Sequence, residues 1–294
     1  FVDPFSKLMK VMPKIPAATC YLDNDQLNDD ERGVKYANLL EEEIIKQDPE
    51  TVLAFILEPI GGASTGALVP PNSYFKRINE ICKKHDILII TDEVMTGAGR
   101  TGKFLAGEHW NLEPDIIAMA KGFAAGYAPL GVVAAKNTIV NEINNSGGFL
   151  HGHTYAGNPL ACSAGLAVLK EILSKNLIDN AHIQGITLKE KLNQLKNEFS
   201  FIGDVRGKGL LVAFELVSNK ETMDPLPTSM NADTLLVEEA YKKGLIIYSR
   251  KTRGGKIGDH FMICPPLVIN KKQIDEICYI LRECLKIIQS KLNL

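Results

Sequence analysis

Short apolar runs at residues 51–57, 87–91, 115–119 and 131–135 alternate with stretches whose apolar residues recur at helical spacing, and that alternation constrains the fold most tightly. The stretch 32–47 carries Val34, Ala37, Leu40, Ile44 and Ile45, and the stretch 73–85 carries Phe75, Ile78, Ile81 and Cys82. Strands kept apart by helices cannot pair as tight hairpins; crossover connections lead to a mostly parallel sheet covered by helices. After Pro159 the rhythm changes. An apolar helix at 160–172 and a charged amphipathic one at 183–199 are followed by strands at 210–217, 245–248 and 261–264, helices at 232–243 and 271–292, and a glycine-rich loop at 253–258. We therefore expect an α/β domain over residues 1–175, including a linking helix, and a smaller α+β domain over 176–294.

A chain of 294 residues that is 45% hydrophobic can bury cores of that size. With 33 Lys+Arg against 35 Asp+Glu, it presents no electrostatic footprint for nucleic acid or an anionic membrane. No apolar run approaches the roughly 20 residues that span a bilayer. Six scattered cysteines without a CxxC pair read as core thiols in a reducing, cytoplasmic setting. The acidic stretch 23–31 lacks the Gly and Glu offsets of a calcium loop, so no metal is expected. Residues 1–21 have neither the layout of a signal peptide nor an Arg-rich amphipathic face, and the chain opens on Phe1; we expect sequence upstream of it to be missing.

In a parallel α/β sheet, ligands gather at the carboxyl ends of the strands, and three such ends are unusual. Glu58-Pro59-Ile60-Gly61-Gly62-Ala63-Ser64-Thr65-Gly66 follows the first strand, and Asp92-Glu93 closes the most hydrophobic one. Carboxylates in such a place need a cation, a donor or a metal. Residues 97–103 imitate the first seven places of a phosphate-binding loop, but Phe104 stands where a hydroxyl should hold magnesium, which excludes nucleotide hydrolysis. The third end is Lys121-Gly122 after residues 115–119. A lysine at the edge of apolar surroundings is a Schiff-base candidate. An acid and a lysine on neighbouring strand ends suit pyridoxal phosphate, which needs an amine for its aldehyde and an acid for its pyridine nitrogen.

The ordered blocks Glu58-Pro59, Asp92-Glu93-Val94 leading to Gly99-Arg100-Thr101-Gly102, Pro114-Asp115-Ile116 leading to Lys121-Gly122, and His153-Thr154-Tyr155 leading to Gly157-Asn158-Pro159 resemble the signature of the class III pyridoxal-phosphate aminotransferases. Val205-Arg206-Gly207-Lys208-Gly209-Leu210 and Pro265-Pro266-Leu267 extend the resemblance to the C-terminal end. It implies fold type I of the pyridoxal-phosphate transferases, with the large domain incomplete and a smaller C-terminal domain. It implies that Lys121 carries the cofactor and shuttles the substrate proton. Asp92 would pair with the pyridine nitrogen, and Val94 would pack on the ring. Thr154 would bind the cofactor phosphate across a homodimer interface. Met95 occupies the cofactor-contacting place where many members have Gln, and Ala63 replaces the Glu of ornithine-type members. The resemblance is therefore to the amine or ω-amino acid branch, with pyruvate or 2-oxoglutarate as acceptor.

Glu93 is expected to anchor a loop through Arg100, Arg253 to hold the oxo acid's carboxylate, and Tyr127 and Trp110 to line the pocket. The upstream Gly-Ser-Glu-Ala-like turn and stacking aromatic of the family are not in this sequence, which reads as the C-terminal two-thirds of a transaminase. Aminomutase, racemase or decarboxylase chemistry on the same scaffold, or an inactive fragment needing the upstream segment, are the alternatives.

Overall fold

A computed structural model describes residues 5–294. Helix α1 (Asp29–Lys46) starts in a capping box, Asn28 accepting from the Glu31 amide while Glu31 takes the Asn28 amide, so two otherwise orphaned donors are satisfied. Its face of Tyr36, Ala37, Leu40 and Ile44 packs on Tyr74, Phe75, Ile78 and Ile81 of α2 (Asn72–Lys84). That helix carries the chain from strand β1 (Ala54–Leu57) to β2 (Leu88–Asp92), and a short helical turn at Ala106–Trp110 lies between β2 and β3 (Ile116–Met119). β1, β2 and β3 run parallel, while β4 (Val132–Ala135) joins β3 antiparallel. The sheet is thus mostly parallel, as expected, and it presents the ends of three parallel strands side by side.

Helix α3 (Asn137–Asn145), absent from the sequence expectation, precedes α4 (Pro159–Ser174) and α5 (Leu177–Glu198). The packing partner changes within the first turns of α5: Val168, Leu169 and Ile172 of α4 and Leu177 and Ile178 of α5 contact the cluster of Ala98, Met119 and Phe123, whereas Ala181, Leu188, Leu192 and Leu195 of α5 enter a second core. That core covers an antiparallel sheet of β5 (Ile202–Lys208), β6 (Leu211–Asn219), β9 (Ile257–Ile263) and β8 (Tyr248–Arg253), with a short β7 (Asp224–Pro225) on β6. Helices α6 (Ala232–Lys242) and α7 (Lys271–Leu292) complete it. A smaller cluster joins the two sheets, with Ile60, Ala67 and Ala106 meeting Leu211, Ala213 and Met262.

Four strands of the second sheet depart from the expectation: β7 is not anticipated, β9 begins at Ile257 inside the expected glycine-rich loop, and β5 and β8 differ further. β5 carries Asp204, Arg206 and Lys208 on an otherwise buried strand, a pattern that local hydrophobicity cannot reveal. The strand expected at 245–248 lies instead at Tyr248–Arg253, where pairing with β9 through Arg253↔Ile257 fixes it by register rather than by apolar content.

Candidate active site

Glu58, Asp92 and Lys121 stand at the carboxyl ends of β1, β2 and β3 respectively. The parallel register sets Asp92 opposite Ala118, three residues before Lys121, so strand pairing alone brings the acid and the amine to one edge. Lys121 has φ 45°, a left-handed conformation that costs a non-glycine residue roughly 1 kcal/mol and is held where the chain leaves the sheet for a turn at Lys121–Phe123. Its side chain is exposed rather than sunk in apolar surroundings, and among the described residues it makes no hydrogen bond or ion pair. Asp92 is half-buried, and its Oδ1 accepts from the Val94 amide at 3.0 Å.

Glu58 is the residue that sequence reasoning undervalued. Its Oε2 accepts from the Gly62 amide at 2.9 Å. Burial raises its carboxyl above the usual range; the Gly62 amide opposes this, Asp92 adds to it, and the Lys121 charge opposes it again. Glu58 therefore belongs to the same electrostatic neighbourhood as both predicted site residues. Met95 closes this side: a Cβ placed on Gly62 would lie 2.7 Å from both the Met95 sulfur and Glu58 Oε1. A side chain there would make one of the pair move aside.

Glu93 does not use Arg100. It is buried and accepts from the amides of Ala106 (3.0 Å) and Gly107 (2.9 Å) and from the Thr96 hydroxyl. Glu93, the first residue after β2, is turned onto the start of the Ala106–Trp110 turn while Asp92 stays at the sheet edge. Arg100 donates instead to the carbonyls of Leu210 (3.3 Å) and Pro265 (2.5 Å). Trp110 is occupied by packing: it stacks on Phe75 at 4.3 Å and donates to Asn72. Tyr127 is exposed.

Thr154 lies in an exposed turn closed by the Ala156 amide on the His153 carbonyl; no described contact joins it to Lys121 or Asp92. Arg253 sits on β8, where it donates to the Met223 carbonyl and faces Glu215 at 3.9 Å. The structure thus brings together Lys121, Asp92, Val94, Met95 and Glu58, and leaves Thr154 and Arg253 on other elements. No cluster of three or more metal-ligating side chains occurs among the described residues, and no described helix is long and apolar enough to cross a membrane. The donor set fits the ring end of pyridoxal phosphate: a primary amine without a competing partner, and beside it a carboxylate oriented by one backbone amide.

Residues 3–285 match the family model described as aminotransferase class-III. The chain is 37% identical over 292 residues to the uncharacterized aminotransferase YodT of Bacillus subtilis, covering 98% of this chain and 65% of that protein. It is 37% identical over 265 residues to a putrescine–pyruvate aminotransferase of Pseudomonas aeruginosa, covering 90% of this chain and 56% of the relative. Among solved structures, an amine transaminase from an uncultivated Pseudomonas species in its PLP-bound form superposes with a TM-score of 0.81 at 36% identity, over 88% of this chain and 57% of the other. The chain therefore spans between about half and two-thirds of the length of these relatives.

Proposed function

Because the chain belongs to the class III aminotransferase family, whose cofactor is pyridoxal phosphate, we propose that it contributes the catalytic lysine and the ring-pairing acid of a ping-pong transamination between an amine or ω-amino acid and an oxo acid. The observation that carries the reading is the pairing of Asp92 with Ala118 across two parallel strands, which delivers Asp92 and Lys121 to the same edge. When bound, the cofactor supplies an aldehyde for a lysine amine and a protonated ring that draws electrons from the substrate.

The chain's own groups then have distinct tasks. Lys121 holds the cofactor and, once displaced, carries the proton removed from the substrate Cα. Asp92, one oxygen fixed by the Val94 amide, keeps the proton on the ring nitrogen. Val94 and Met95 bound the ring side. Thr154, on an exposed turn, serves the phosphate of a partner subunit in a homodimer. Arg253 takes the acceptor's carboxylate by exchanging the Met223 carbonyl for it. Ala63 in place of an acid and the similarity to a putrescine–pyruvate enzyme favour amine donors with pyruvate or 2-oxoglutarate as acceptor. We place the domain division at residues 175/176, between α4 and α5 and a few residues before the packing partner changes, and the protein in a cytoplasmic setting, consistent with six free cysteines.

The test is reduction of the purified chain with borohydride in the presence of pyridoxal phosphate, followed by peptide mapping. The label is expected on Lys121. In the enzyme that turns over, Lys121→Ala is expected to lower the rate by more than about 10³-fold, the range that loss of a general base alone spans. A label on another lysine, or a Lys121→Ala variant with unimpaired steady-state transamination, overturns the assignment.

A further inference from the structure

Two buried side chains of the second sheet reach across to the loop that follows β1. Arg206 of β5 donates from Nε to the Gly66 carbonyl at 2.7 Å and from Nη2 to the Thr65 carbonyl at 3.1 Å. His260 of β9 places Nε2 3.0 Å from the Ala63 carbonyl. A carbonyl only accepts, so Nε2 carries the proton and Nδ1 accepts from the Thr252 hydroxyl at 2.8 Å. The loop is built to receive both. Gly66 has φ +64°, and a Cβ there would lie 2.6 Å from the His260 ring and 3.0 Å from Arg206 Nη2, so any side chain would push the two away.

Behind them stands a buried ionic cluster. Arg206 pairs with Asp204 and Glu215, each at 2.9 Å, and lies over the Tyr21 ring at 4.4 Å, while the Tyr21 hydroxyl donates to Glu215 at 2.8 Å. Burying such a cluster adds little stability, because desolvation offsets most of the attraction. What it does supply is a fixed direction for the guanidinium, and through it a fixed course for residues 63–66. The same loop contains Gly62, whose amide holds Glu58.

We infer that Arg206 and His260 are positioning residues, which hold three backbone carbonyls of the loop 61–67 so that its Gly62 amide keeps Glu58 beside Asp92 and Lys121. This rests on the reading of Asp92 and Lys121 as the reactive pair. The second sheet thereby sets the geometry of a site to which it contributes no reacting group.

The test measures amide hydrogen exchange of the full chain and, in parallel, borohydride trapping of pyridoxal phosphate on Lys121. His260→Ala is expected to speed exchange in residues 61–67 about tenfold, the factor carried by one or two lost buried hydrogen bonds, with amides of α5 unchanged. Arg206→Met, which also leaves Glu215 without its cation, is expected to speed it at least as much. The yield of trapping at Lys121 is expected to fall in step. His260→Gln, whose side-chain amide can still donate to Ala63, is expected to restore both readouts. Unchanged exchange in 61–67 overturns the inference. So does exchange that rises uniformly over the chain, or loop exchange that rises with trapping unaffected. A wild-type chain that is not trapped at Lys121 overturns the functional reading, and a loop that keeps its protection in the variants overturns the latch whatever Lys121 does.

Discussion

Neighbouring residues with the same chemistry have opposite fates in this protein. Asp92 and Glu93 are adjacent carboxylates, yet Glu93 is saturated by two amides and a hydroxyl, while Asp92 spends one oxygen on a single amide. Asp92 ends β2 while Glu93 begins the chain that leaves it, and only the unsaturated one is available to a ligand. His260 allows a sharper prediction. Burial, with the nearby Arg206 charge, lowers its pKa from the ordinary 6.5 to about 4, against the Ala63 carbonyl that favours its charged form. The unfolded chain therefore binds more protons than the folded one between pH 6.5 and 4. The contribution of neutral His260 is complete above pH 6.5 and is lost progressively as the pH falls toward 4. Taken as a pKa difference, the loss is on the order of 3 kcal/mol. Urea denaturation from pH 7 to 4 is expected to show a steeper decline for the wild type than for His260→Gln, and parallel curves would contradict it.

At the scale of elements, close approach decides where local propensity is overruled. Gly185 lies within α5, where alanine would favour the helix by about 1 kcal/mol. A Cβ at that position would fall far inside van der Waals distance of the Gly209 carbonyl, between β5 and β6. The backbone shift required costs about 1–3 kcal/mol or more, so Gly185→Ala is expected to lower the melting temperature despite the better helix former; a rise would sink the argument. Some elements were legible and others were not, for identifiable reasons. Helix α7 coincides with the expected 271–292 because Asn270 and Gln273 form a capping box and Ile274, Cys278, Leu281, Leu285 and Ile288 repeat on one buried face. β8, reading Tyr-Ser-Arg-Lys-Thr-Arg, has no such periodicity; its position comes from β9.

Over the whole molecule, apolar surface is distributed unevenly. Around the proposed phosphate turn, Phe149, Leu150, Tyr155 and Leu160 are largely exposed, and Leu166 and Leu173 continue along α4. Exposed apolar groups gathered this way are the kind of surface at which chains associate, and the proposed homodimer would use it. Sedimentation velocity is expected to show a concentration-dependent dimer, shifted toward monomer by Leu166→Glu. A wild-type chain that stays monomeric across the concentration range, or a variant that dimerises as well as wild type, would contradict this use of the face.

The sequence by itself determined the helix-and-strand alternation, the mostly parallel first sheet and the placement of Asp92 and Lys121 at neighbouring strand ends, because hydrophobic periodicity and the residues at strand ends are local properties. It also carried the family resemblance, since the ordered blocks lie in the chain itself. The tertiary structure alone decided that Glu58 shares the electrostatics of the site, that Glu93 is a loop anchor independent of Arg100, and that Arg253 rests on Met223 and Glu215. It alone joined Arg206 and His260 to residues 140 and 197 positions away. Such partners are chosen by burial: a charge or imidazole removed from water must find whatever donor or acceptor the folded chain brings within reach, and sequence spacing holds no record of that choice.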